Sequence, residues 1–286
     1  MKRLTRDRVV YALDKDIAPA FSAEDGETLL VETLDCWSGN ITREGAKRQE
    51  RVGPNPATGP IAITGAQPGE MLAVHIHTVV PAEWGFIAGG GEDSFTIIEM
   101  ADGQATYPGG RRFPLDPMIG VIGVAPAGEP VPTTTPGDHG GNLDTVDVRP
   151  GSTIYLPVAV PGAGLALGDV HALQGDGEVG GTGIECMAEV TLSVQRVPEA
   201  VWSTPLIVRG DRLMLLASAD TLDEAAWKAV EGMSGLITKL TGLPDHLARR
   251  LLSTLGDVRI SQIVNPRKTC RAIVSREVLG EAWPFA

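Results

Sequence analysis

Three cysteines in 286 residues are too few for a disulfide framework, and the odd number leaves at least one thiol unpaired. Cys36, Cys186 and Cys270 also lie too far apart for any local zinc-knuckle spacing. That usage predicts a reducing, cytoplasmic setting. Long apolar runs are missing as well: no segment reaches the ~20 residues that a membrane helix needs. The charged opening Met1-Lys-Arg-Leu-Thr-Arg-Asp-Arg8 is not followed by an apolar stretch, so no secretory signal is visible. Basic residues are in deficit, 24 against 36 acidic ones, for a net charge of -12 and a pI of about 4.9. Such a field repels polyanions, so neither nucleic acid nor an anionic membrane surface is an expected partner. There is no internal repeat.

What the chain does have is apolar residues at 43% and charged residues at 21%, which fits neither a disordered nor a fibrous protein. Its length suffices to bury a core without staples, and residues 1–286 are expected to form one unit, β-rich over 1–200 and helix-containing over 201–286. From Leu29 to about Val197 short apolar runs alternate with Gly/Pro turns, which predicts many short strands. Ala188, Val190, Leu192 and Val194 alternate with polar neighbours, as do Leu72, Val74 and Ile76, each the period of a half-buried strand. Ile154–Val160 also reads as extended; Pro157 cannot donate to a ladder and predicts an edge or a bulge there.

The last third changes period. Thr221-Leu-Asp-Glu224 is a capping box, and behind it Ala226, Ala229, Val230, Met233, Ile237 and Leu240 form one helical stripe. Gly242 is placed to end that helix and Pro244 to begin another, with Leu247, Leu251 and Leu252 on one side as far as Leu255. A strand over Val258–Val264 follows. The expected fold is mainly β with an α/β layer: a β-sandwich-containing, three-layer β/β/α architecture with C-terminal helices.

Two glycine-laced segments hold polar residues that ordinary turns do not need. Pro136–Asp144 carries His139, Asn142 and Asp144; Gly168–Glu185 carries Asp169, His171, Gln174, Asp176, Glu178 and Glu185. His, Asp and Glu together are ligands for zinc or a similar ion, and a carboxylate left free can act as base. Gly-Asp-Gly is equally the sequence of a solvated hairpin turn.

GDVHALQGDGEVGGTGIE (Gly168–Glu185) strongly resembles the signature of the acetamidase/formamidase family, and four further segments agree in order. They are NPATGPIAITGAQPGE (Asn55–Glu70), PMIGVIGVAPAG (Pro117–Gly128), HGGNLD (His139–Asp144) and DVRISQIVNP (Asp257–Pro266). The resemblance implies hydrolysis of small aliphatic amides such as formamide or acetamide to the acid and ammonia, metal ions in the site, and a homo-oligomer. Some members of the family act on lactams.

Residue chemistry then suggests roles. His139, Asp144 and His171 are the expected ligands of a divalent ion, zinc or also calcium, with Asp35 next. Glu185 is the expected proton shuttle, with Gln174 and Asp176 beside it on the catalytic side, and Asn142 and Glu178 orient substrate. Asp169 reads equally well as a plain turn aspartate. His75 and His77 lie outside the matching segments and read as a solvent-facing or subunit-facing pair. Gly89-Gly-Gly91 reads as a loop rather than a phosphate cradle. The competing readings are a lactamase, a thiol amidase using Cys36 or Cys186, and a non-catalytic β-sandwich that binds a small ligand.

Overall fold

Positions that alternate in the sequence separate to opposite faces of a sheet. In the computed structural model, which describes residues 1–48, 53–89, 94–199 and 202–285, the strand Ala188–Val197 pairs antiparallel with Met71–Pro81 over its whole length. These two lie within a nine-stranded sheet in the order Lys2–Leu4, Thr28–Thr33, Ala188–Val197, Met71–Pro81, Ser152–Pro157, Leu206–Arg209, Arg212–Ala219, Lys268–Ser275, Asp257–Gln262. Leu72, Val74, Ile76, Val190, Leu192 and Val194 turn one way, into a core shared with Ile61, Ile119, Ile122, Leu165 and Leu167 of a second, eleven-stranded sheet. Together they make the expected sandwich.

The third layer is helical. Helix α1 (Leu222–Thr241) starts at the Thr221/Glu224 capping box, with both reciprocal bonds formed, and ends at Gly242 in a left-handed cap. Helix α2 (Asp245–Leu255) follows directly after Pro244. Ala229, Met233, Leu236 and Ile237 of α1 and Ala248 and Leu252 of α2 cover the outer face of the first sheet, against Leu213, Leu215, Ala272 and Val274. Of the leucine side expected on α2, Leu252 is buried and Leu251 partly so, but Leu247 is exposed and Ala248 takes its place.

Pro157 corrects the edge expectation. It is the last residue of an interior strand, opposite Met71. The amide of Val158 donates to Glu70 on the Met71 side, so the donor missing at Pro157 faces the other neighbour, whose pairing stops at Tyr155. Gly90 and Gly91 of the triple-glycine loop lie outside the described residues.

The strand Leu165–His171 is buried at every position in the middle of the second sheet, between Met118–Gly123 on one side and Ala57–Ile63 and Glu185–Cys186 on the other. Its C-terminal end, with the loops that leave it, is where the polar residues collect.

The capping box sits far from that end. Thr221→Ala should lower stability by about 1 kcal/mol, read as a reduced urea midpoint at unchanged slope. The functional cluster should be untouched.

Candidate active site

His171 ends its strand with the ring 1% exposed, and its Nδ1 lies 2.6 Å from Gln174 Oε1. The Gln174 amide nitrogen donates to the Asp144 carbonyl at 2.9 Å, which fixes the glutamine so that its oxygen faces the ring. Nδ1 must therefore carry the proton donated to that oxygen, and in the neutral ring Nε2 keeps its lone pair. Nε2 sits 3.1 Å from Glu185 Oε1 and 3.6 Å from Asp169 Oδ1, within ion-pair distance but without hydrogen-bond geometry.

The carboxylates are held in the same way, by one oxygen each. Asn265 donates to Asp144 Oδ2 at 2.6 Å, and Asn55 to Asp169 Oδ2 at 2.7 Å. The other oxygens, Asp144 Oδ1 and Asp169 Oδ1, are buried without a hydrogen-bond partner, as are Glu178 Oε2, Glu185 Oε2 and His171 Nε2. Buried polar atoms are rarely left this way, and five in one place mark a site built for something else.

Backbone strain supports that conclusion. Asp144, Asp169 and Glu178 have φ of 41°, 54° and 46°, a left-handed conformation that side chains other than glycine's disfavour. Gly120 makes room for two of them: a Cβ there would lie 2.5 Å from Asp144 Oδ1 and 3.0 Å from Asp169 Oδ2. Gly183 is likewise required, since its Cβ would fall 2.8 Å from the His171 ring.

Crowding like charges in a dry pocket shifts their protonation. Burial, then the neighbouring Asp169 charge, pushes Asp144 up to about 6; burial and Asp144 push Glu178 up to about 10. Glu185 is pushed up to about 7, mainly by burial, with the imidazolium pulling the other way. Burial alone would lower His171, but the Glu185 and Asp169 charges outweigh it and raise the ring well above its ordinary value. The acidic oxygens outnumber the one imidazole, and a cation or extra protons must balance them.

Among the described residues, two sets of side chains present metal-ligating atoms within 4.8 Å of one another: Asp144, His171 and Glu178, and Cys36, Asp169 and Glu185. The donor set of carboxylates, imidazole and thiol suits a divalent ion such as zinc. The free oxygens and the free Nε2 are the atoms it would use.

The two glycine-laced stretches thus meet, but at Asp144 rather than at His139. His171 pairs with Met118, whereas the His139 carbonyl accepts from Val124, six residues further on and just past the other end of that strand. At about 3.3 Å per residue the backbones lie about 20 Å apart in that direction. His139 belongs to neither set; burial lowers its ring to about 4, and the ring is packed with Nδ1 against Gly137 and the buried Nε2 against Gly141. Asp35 is near but engaged: its Oδ1 accepts from the amides of Trp37 and Gly39, and it faces Glu185 across a cavity of about 30 Å3. Asp176 turns away from the cluster to a bidentate pair with Arg271. Gln174 is a tether, Glu178 lies inside the cluster, and Asn142 is buried with Oδ1 free. His75 and His77 lie on the outer face, bonded to Thr153 and Ser193. Sequence reasoning missed Asn55 and Asn265 and undervalued Asp169. A signal existed for each: both asparagines stand in Asn-Pro pairs within matching segments, and Asp169 shares a strand face with His171.

The model of the acetamidase/formamidase family matches residues 7–131 and 124–234. The chain belongs to that family. It is 26% identical to the formamidase of Methylophilus methylotrophus over 237 residues, 57% of this chain and 58% of that one. It is also 26% identical to the acetamidase of Mycolicibacterium smegmatis over 241 residues, 57% of this chain and 59% of that one. The aligned region therefore spans about three fifths of those curated relatives. The solved acetamidase of Bacillus halodurans superposes with a TM-score of 0.94 at 39% identity, covering 98% of this chain and 99% of that one. The β/β/α architecture read from the sequence is the family's fold.

A carboxyl whose folded pKa is raised stabilises the fold below its ordinary value and stops doing so as pH rises through the folded value. Asp144, Glu185 and Glu178, raised to about 6, 7 and 10, act in that direction, and the raised His171 acts with them. Metal-free protein should therefore melt at progressively lower temperature as pH increases from the ordinary carboxylate range to about 10. A flat or rising profile in calorimetry contradicts the clustering of charges.

Proposed function

We propose that the protein is a metal-dependent hydrolase of small aliphatic amides of the formamide and acetamide type, releasing carboxylic acid and ammonia. The observation that carries this reading is the convergence of five unpartnered buried atoms, four carboxylate oxygens and His171 Nε2, in a chain of this family. Relatives named formamidase and acetamidase support the amide as substrate. The cavity of about 30 Å3 lined by Asp35, Ala82, Trp84, Phe86 and Glu185 supports a small acyl group, since that volume holds a methyl or one water.

Asp144, His171 and Glu178 would hold the ion, with Asp169 Oδ1 on the same side of the ring, 3.6 Å from Nε2. A divalent cation bound there supplies polarisation of the amide carbonyl and a lowered pKa for water, the two things an unreactive amide needs. Glu178 and His171, which hold protons in the metal-free cluster, would give them up to serve as ligands. Glu185, near neutrality, is suited to take a proton from water and pass it to the departing nitrogen, because ammonia leaves only once the amine is protonated. Gln174 keeps the His171 ring turned with Nε2 inward, while Asn265 and Asn55 aim Asp144 and Asp169. Of the two thiols considered as nucleophiles, Cys186 donates to the Val170 carbonyl and burial pushes its pKa up, which keeps it a thiol. A homo-oligomer belongs to this reading, and three buried cysteines outside any disulfide support a cytoplasmic setting.

Ammonia release from formamide and acetamide tests the proposal. Glu185→Gln should lower kcat by about 100-fold or more with metal content retained, and His171→Ala should lower both. A chelator should abolish turnover and zinc restore it. Indifference to chelators with loss on thiol alkylation would instead establish the thiol amidase with Cys36.

A further inference from the structure

Arg271 is the largest fully buried side chain in the described structure, at 0% exposure, and no step above uses it. All three guanidinium nitrogens are engaged. Nε donates to Asp147 Oδ2 at 3.0 Å, and Nη2 to both Asp176 oxygens at 2.8 and 3.0 Å. Nη1 reaches Ser261 Oγ at 3.2 Å and the Ile260 carbonyl at 3.3 Å. Burying a guanidinium is costly, and its two carboxylate partners come from different loops.

The identity of those loops matters. Asp147 lies three residues after Asp144, and Asp176 two residues before Glu178. One cation therefore joins the two chain segments that deliver the other two members of the set containing His171. Both segments need restraint. Gly177 and Glu178 are consecutive left-handed residues, at φ of 94° and 46°, and Asp144 is a third at 41°. Gly177 is pinned to the edge of the strand Asp257–Gln262, its N–H donating to the Ser261 carbonyl and its own carbonyl accepting from Ile263. Arg271, on the adjoining strand Lys268–Ser275, grips the residue just before it.

We propose that Arg271 is a positioning residue whose buried guanidinium, by tying Asp147 to Asp176, sets the spacing of Asp144 and Glu178 around His171. This rests on the reading that the cluster holds a divalent cation. Arg271 does not touch the ion or substrate; it acts through two loops, and a planar fork with both partners satisfied is what the task requires.

Zinc affinity of the intact protein, measured by competition with a chromophoric chelator, tests it alongside kcat and KM. Arg271→Met should weaken zinc binding about 10- to 100-fold and lower kcat at little change in KM; Arg271→Lys should recover part of the affinity. Should Arg271→Met fail to fold, Asp176→Asn on the half-exposed loop carries the test and should weaken zinc in the same direction. Arg196→Met, which removes a comparable Arg–Glu70 pair outside the cluster, should cost stability alone. Wild-type zinc affinity in folded Arg271 and Asp176 variants, or an equal loss in Arg196→Met, overturns the clasp while leaving the metal reading intact. A wild type that takes up no divalent ion overturns both.

Discussion

Buried negative charge organises this molecule. Asp144, Asp169, Glu178 and Glu185 are each at most 6% exposed, and His171 is the one imidazole among them. Isolated carboxylates in such a place would repel one another and give up far more hydration than any hydrogen bond returns. The fold answers with neutral partners, Asn55 and Asn265 donating to Asp169 and Asp144 and Gln174 accepting from His171, that satisfy one side of a group and leave the other side bare. A core built only for stability would satisfy both sides or use apolar residues. The half-satisfied pattern makes sense when the second side is reserved for a cation.

That arrangement explains why the surrounding backbone is strained and why glycines crowd it. Three of the acidic residues occupy left-handed φ, and Gly120 and Gly183 give the carboxylates and the ring the space a methyl would deny. Strain of this sort persists only where neighbouring structure over-determines it. Here the sandwich does so. The Leu165–His171 strand is buried from end to end, with ladders on both sides, so the residues at its C-terminus leave from a fixed point.

Much of the architecture was legible because it depends on local periodicity. The two-residue alternation of Ala188–Val194 and the capping box at Thr221 are signals that act within a few residues, and both elements form where expected. The cluster was legible only in part. Asp144, His171, Glu178 and Glu185 sit in segments whose glycines and polar residues have no purpose in an ordinary turn. Which of those polar residues turn inward depends on strand register and loop closure, which no local pattern states. His139 illustrates the limit. It stands five residues before Asp144 in a glycine-rich setting, yet the antiparallel pairing of Gly140–Asn142 with Val121–Gly123 carries it away from His171. Asn265 shows the converse: 121 residues after Asp144, it reaches that carboxylate through the sheet and not through the sequence.

Charge also gives the proposed reaction a direction. The substrate class is neutral, so neither the surplus of 12 negative charges nor the acidic cluster resists its approach. The products are a carboxylate and, at neutral pH, an ammonium ion. Under that proposal a carboxylate formed beside Glu185 and Asp169 would meet like charges 3 to 4 Å from His171 Nε2, and only the proposed cation and the ring would oppose its expulsion. The same repulsion that makes the cluster expensive to fold would thus clear it after each turnover. A site with fewer carboxylates would be cheaper to build and slower to release an acid.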